Sequence, residues 1–206
     1  GDIRTKKMGY FYADRDVYQE IQRSTGTHGR RHPLAFLLEA ADDIAYKTAD
    51  IEDAVKKGCI SYEQLLQELR VYGDGKQDET YQRLTELLSC RYERAVQKGM
   101  EHPRANAVQN WLVRIQGQMI QSATRGFREH YEELMAGRYK KDLFQGVPGT
   151  GILDALGDIA YRYAFHTPAI LKLEIGADAI LGFLLDRFVD AVIPYDSGEP
   201  MTGVQE

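Results

Sequence analysis

From Leu34 to Val55 the chain runs without a glycine or proline, and its apolar residues recur at helical spacing. At about 100° per residue, Leu34, Leu37, Leu38, Ala41, Ile44, Thr48, Ile51 and Val55 share one face, which is the expected core face. The opposite side carries Glu39, Asp42, Tyr46, Asp50 and Asp53 in a column, with Asp43 at its edge. A two-stripe pattern sustained over six turns cannot be a strand, whose side chains alternate with period two. Its ends are marked by Pro33 at a first helical position, Lys56 and Lys57 in the last turn and Gly58 beyond it.

The rest of the chain reads the same way. Asp14 to Ser24 gives a short helix that ends near Gly26. Ser61 caps another, with Gln64 completing a capping box. Residues 78–98 form a fourth, stopped by Gly99. Pro103 opens a fifth that is expected to reach Met135, with Gly117 and Gly126 as points of close packing. The run Gln145 to Gly151, QGVPGTG, is the clearest break. After it, Ile152–Phe165 and Pro168–Val192 read as two more helices. The last is strongly apolar and is expected to serve as an interface or core element. No segment alternates convincingly with period two and no internal repeat is found, so the fold class is all-α: a multi-helix bundle with a C-terminal helical lobe.

Composition excludes some functions. With 26 basic and 31 acidic residues the formal charge is -5, which argues against nonspecific nucleic-acid binding as the main task. No apolar run approaches the roughly 20 residues of a membrane span. Cys59 and Cys90 lack metal-type spacing and are too few for a disulfide scaffold, so free thiols in a reducing cytoplasm are expected. Gly1 stands where an initiator methionine would be, so the chain is read as cut from something longer.

The acid column carries the chemical signal. Like charges three or four residues apart on a helix cost roughly 0.2–0.5 kcal/mol per pair. No basic residue joins this column until Lys57. A divalent metal, or cationic side chains from elsewhere, would relieve the repulsion; a solvated acidic face is the other reading of the same spacing. One helix cannot supply a full ligand set.

The string Glu39-Ala40-Ala41-Asp42-Asp43-Ile44-Ala45-Tyr46, followed by Ala49-Asp50-Ile51-Glu52-Asp53-Ala54, resembles the final part of a signature of the dGTPase-like branch of the HD-domain enzymes. The approach to it, Lys7-Met8-Gly9-Tyr10-Phe11 and then Arg31-His32-Pro33-Leu34, is similar too, as is the closing helix from Leu171 to Val192. The resemblance implies a partial HD-type bundle. It places the C-terminal part of the HD catalytic domain at 1–72, a helical region of the dGTPase-like fold at 73–193 and a disordered tail at 194–206. It implies that Asp42 ligates a Mg²⁺ or Mn²⁺ ion. It likewise implies that Tyr46 packs against a deoxyribose, that Asp50 bonds the sugar 3′-hydroxyl and that Lys7 contacts the triphosphate. The parent enzyme would convert dGTP or another dNTP to deoxynucleoside and triphosphate, as a homo-oligomer, hexameric in the family. Single-stranded DNA is a further candidate partner, and no membrane is implied.

One departure from the pattern is decisive. The family's other metal ligands are a histidine and an adjacent His-Asp pair, and this chain has no such pair. His28, His32, His102, His130 and His166 are expected in surface, capping or turn roles rather than as ligands. The chain is therefore expected to be a C-terminal part lacking the upstream ligands, inactive by itself and binding no metal alone. Two alternatives stay open: a non-catalytic helical interaction or regulatory module, and a different HD-type nucleotide phosphohydrolase. Gly146-x-x-Gly149-x-Gly151 lacks the strand and lysine of a phosphate loop and reads as a linker. Arg125, Arg128, Arg138, Lys140 and Lys141 read as a solvated face, and Trp111 as a core residue.

Overall fold

The computed structural model describes residues 9–198, and among them every regular element is helical. A 3₁₀ turn precedes eight helices: α1 (Arg15–Thr25), α2 (Pro33–Lys56), α3 (Tyr62–Gly73), α4 (Glu79–Gln97), α5 (Pro103–Glu129), α6 (Tyr131–Met135), α7 (Gly151–Ala160) and α8 (Pro168–Ser197). The all-α expectation holds. Local chemistry sets most boundaries. His32 caps α2, its Nδ1 accepting from the Leu34 amide at 3.2 Å, and Pro33 occupies the first turn. Ser61 and Gln64 form the expected capping box on α3. Asp78 caps α4 by accepting from the Tyr81 amide at 2.9 Å, and its other oxygen accepts from Gly149 at 2.8 Å. One carboxylate thus ties the glycine-rich segment to the start of α4.

The chain divides into two compact units, one reaching Ala160 and the other beginning at Tyr161. In the first, α5 packs along both α2 and α4, while α7 lies against α2 and α3. Trp111 of α5 is fully buried and donates its indole N–H to the Leu84 carbonyl of α4 at 2.7 Å. Tyr81 of α4 is likewise buried and donates to the Leu69 carbonyl of α3 at 2.8 Å. These bonds satisfy the polar ends of large aromatic side chains where water is excluded.

Two glycines of α5 differ. At Gly126 a Cβ would run into the backbone carbonyl of Leu143, so only glycine lets that segment approach. At Gly117 a Cβ would meet nothing within 4 Å, so it is not a packing point. α5 also ends sooner than its pattern suggests: the helix stops at Glu129, and α6 restarts at Tyr131. Beside that break the His130 ring tilts against Tyr139, with centroids 4.7 Å apart.

In the second unit a π turn, Tyr161–Phe165, precedes α8, which Thr167 caps through the Ile170 amide. The helix continues through Pro194 to Ser197, where Gly198 closes it in the left-handed conformation. Its Leu173, Ile175, Phe183 and Phe188 are exposed within this unit. No helix among the described residues is long and apolar enough to cross a membrane.

Candidate functional site

The face that α2 buries is rotated from the one its sequence suggests. Buried are Phe36, Ala40, Ile44, Thr48, Ile51 and Ala54. Ile44, Thr48 and Ile51 are as expected, but Leu34 and Leu38 are 60% and 72% exposed, and Ala41 is exposed too. The reason lies in the neighbours. Phe36 and Ala40 belong to a cluster with Ala123 of α5, Leu134 of α6 and Tyr139 and Leu143 beyond it. The small alanines allow α5 to come close, so this side, rather than the leucine side, faces inward. Thr48 holds the seam: it donates to the Ile44 carbonyl at 2.7 Å and accepts from Gln116 of α5 at 2.8 Å.

The rotation leaves a mixed face open to solvent. Leu34, Leu38, Ala41, Ala45 and Ala49 lie there beside Asp42, Tyr46 and Asp53. At its N-terminal half, α1, the turn after it and α2 bound a cleft of about 540 Å³. Its walls include Tyr18 and Ile21 from α1, Arg31 before α2, and Leu38, Glu39 and Asp42 on α2. Gln22 connects the first wall to the turn, its Oε1 accepting from Gly29 at 2.6 Å. Tyr46 and Asp50 continue along the helix beyond this lining, about 6 and 12 Å from Asp42 by helical rise. Tyr46 is 64% exposed.

The column divides by charge partner. Glu39 pairs with Arg31 at 2.5 Å, both side chains being largely buried, and the Arg31 guanidinium also lies 5.6 Å from the Phe36 ring centroid. Asp43 meets Lys47 at 4.0 Å, and Lys47 also approaches Asp154 of α7 at 3.9 Å. Asp53 pairs with Lys57, the first basic residue to join the column, at 3.3 Å. Asp42 and Asp50 form no ion pair among the described residues. The Asp50 carboxyl is held above the usual range, first by partial burial and then by the Asp53 charge one turn on.

The structure therefore brings Asp42, Tyr46 and Asp50 onto one open helix face, while Lys7 lies outside the described residues. Arg31, Tyr18 and Leu38 join this region, although none of them was read as a site residue from the sequence. Arg31 precedes the helix, so its pairing with Glu39 has no helical spacing that would reveal it. Among the described residues, no three His, Cys, Asp or Glu side chains gather closely enough to hold a metal ion.

No protein-family model matches the chain. Individual proteins do. It is 34% identical over 199 residues to the deoxyguanosinetriphosphate triphosphohydrolase-like protein of Listeria monocytogenes, an alignment covering 96% of this chain and 42% of that protein. It is 30% identical over 201 residues to the probable deoxyguanosinetriphosphate triphosphohydrolase of Pseudomonas aeruginosa, covering 89% of this chain and 39% of that protein. It is 26% identical over 197 residues to the deoxyguanosinetriphosphate triphosphohydrolase of Yersinia enterocolitica, covering 91% and 39% respectively. The chain belongs to the deoxyguanosinetriphosphate triphosphohydrolase-like family, and it spans about two fifths of the length of these relatives.

Proposed function

We propose that the open face of α2 is one wall of a deoxynucleoside triphosphate site, in a protein that hydrolyses dGTP or another dNTP to deoxynucleoside and triphosphate. The observation that carries this reading is the separation within the acid column. Glu39 and Asp53 have cationic partners, whereas Asp42 and Asp50 have none among the described residues and stand one turn to either side of an exposed tyrosine. An aromatic ring flanked by two unneutralised carboxylates suits a sugar: the ring packs against its carbon face and a carboxylate accepts from a hydroxyl. The names of the relatives supply the nucleotide. The exposed Leu34 and Leu38 beside the column suit a wall that further protein completes.

Among the described residues no metal site is complete. A Mg²⁺ or Mn²⁺ ion would find one suitably placed carboxylate here, Asp42, and its other ligands would have to come from sequence beyond this chain. Activity is accordingly a property of a longer protein, and this chain alone is inactive.

The test uses the full-length protein with dGTP and ³¹P NMR of the products. Inorganic triphosphate as the first product supports the reading; orthophosphate or pyrophosphate rejects it. In the same protein Asp42→Ala should abolish turnover. Tyr46→Ala should raise hydrolysis of GTP relative to dGTP by about tenfold or more, because the wall that excludes a 2′-hydroxyl is gone. An unchanged ratio removes Tyr46 from the sugar site.

A further inference from the structure

A second column of like charge lies on α4, and its sign is opposite. Arg91, Arg94 and Lys98 recur at i, i+3 and i+7 and line a cavity of about 330 Å³ between α4 and α5, together with Met100, Asn106 and Asn110. None of the three cations forms an ion pair among the described residues. In a chain with five more acidic than basic side chains, three cations on one helix face without a carboxylate partner oppose the average composition.

Helix electrostatics explain part of this. Arg94 lies in the last turn of α4 and Lys98 at its C-cap, where the helix dipole favours positive charge. That account does not reach Arg91, further into the helix. The Arg91 Nε is buried and has no hydrogen-bond partner among the described residues. A buried charged donor left unsatisfied is destabilising, and negative charge in the cavity beside this guanidinium would offset that cost. The α5 wall adds a neutral donor: Asn110 donates to the Asn106 Oδ1 at 3.0 Å, which engages that oxygen and leaves the Asn106 NH₂ to donate.

We propose that this cavity binds a small phosphate-bearing anion. Guanidinium groups present planar arrays of donors that match phosphate oxygens, and a lysine adds charge with freely rotating donors. The cavity is at the small end of the roughly 300–1,000 Å³ of small-molecule sites, which suits a phosphate group or short polyphosphate chain. A nucleic acid would call for a longer basic stripe, whereas these cations occupy about two turns of one helix and the chain as a whole is acidic. The site shares no residue with the open face of α2, so either assignment can fail without the other.

The test is calorimetric titration of the 206-residue chain with inorganic phosphate, inorganic triphosphate and dGTP. Triphosphate should bind one to one, and more weakly as salt rises. Arg91→Met should weaken it at least tenfold. So should the double variant Arg94→Gln with Lys98→Gln, which alters only exposed side chains and keeps the test intact if Arg91→Met does not fold. Arg125→Gln, at an exposed arginine already paired with Glu129, should leave binding unchanged. Equal affinity for dGTP and triphosphate identifies the phosphate chain as the feature read; tighter dGTP binding identifies a nucleotide. Either result supports the site. No saturable binding at millimolar triphosphate overturns it, as does undiminished affinity in the folded variants. Displacement of triphosphate by a tighter-binding single-stranded oligonucleotide overturns it too.

Discussion

α2 and α4 each carry a column of like charge at helical spacing, yet the two columns meet different surroundings. On α2 the acidic side chains flank an exposed tyrosine on a face that no described element covers beyond the cleft at its N-terminal half. On α4 the basic side chains edge a cavity against a neighbouring helix, and one guanidinium nitrogen is shielded from solvent. The first is a wall and the second is a recess. Repulsion along a helix is the same signal in both; what packs against the helix decides whether it marks part of a larger site or a small site complete in itself. α5 is the shared support, since it packs on both helices.

Removing that support should have the largest effect. Trp111→Ala deletes a fully buried side chain and its hydrogen bond to Leu84, and should cost about 3–5 kcal/mol in urea denaturation. Triphosphate binding should weaken with it, because the recess depends on α4 and α5 lying together. A variant as stable as the parent would show that α5 does not hold the two columns in place.

Next in size is a change inside the acid column. Glu39→Gln removes the carboxylate charge from its pairing with the buried Arg31 guanidinium, a loss on the order of 3 kcal/mol. Asp42→Asn, at an exposed position with no ion pair among the described residues, should shift stability by less than about 0.5 kcal/mol. Thermal melts of the two variants side by side check this. Equal melting shifts would erase the division between carboxylates that hold the fold and carboxylates free to act on a ligand.

That division was not legible in the sequence, although much of the fold was. Helix starts depend on residues three or four apart, so Pro33, the Ser61–Gln64 box and the Pro103 start could be read directly. The buried face of α2 depends on α5 and on the cluster at Tyr139 and Leu143, about a hundred residues away. Sequence periodicity gave Leu34 and Leu38 the core, and packing gave it to Phe36 and Ala40. Gly117 and Gly126 look alike along α5, yet only Gly126 has a carbonyl against it. The acid column was visible because its members share a helix. The partner that removes Glu39 from it, Arg31, comes from outside that helix. The basic face of α4 had the same kind of spacing, but its meaning came only when Asn106 and Asn110 closed the cavity.

The smallest effect concerns Asp50 and carries a sign. Burial and the Asp53 charge hold its carboxyl above the ordinary aspartate value, so the folded state binds this proton more tightly than the unfolded chain does. Stability then falls as pH rises from below that value through the raised folded pKa, and at neutral pH the ionised Asp50 is a net cost. Asp50→Asn should therefore stabilise the chain at pH 7 by roughly 0.2–0.5 kcal/mol, the scale of one like-charge pair on a helix. The gain should shrink as pH falls through the carboxylate range, where Asp50 takes up its proton in the folded state before the unfolded one. Melting curves of both proteins at pH 7 and pH 3.5 decide it. A variant that destabilises at pH 7 would mean that Asp50 has a stabilising partner, as Glu39 and Asp53 do. It would then join the structural carboxylates, and Asp42 would be left as the only member of the column free to meet a ligand.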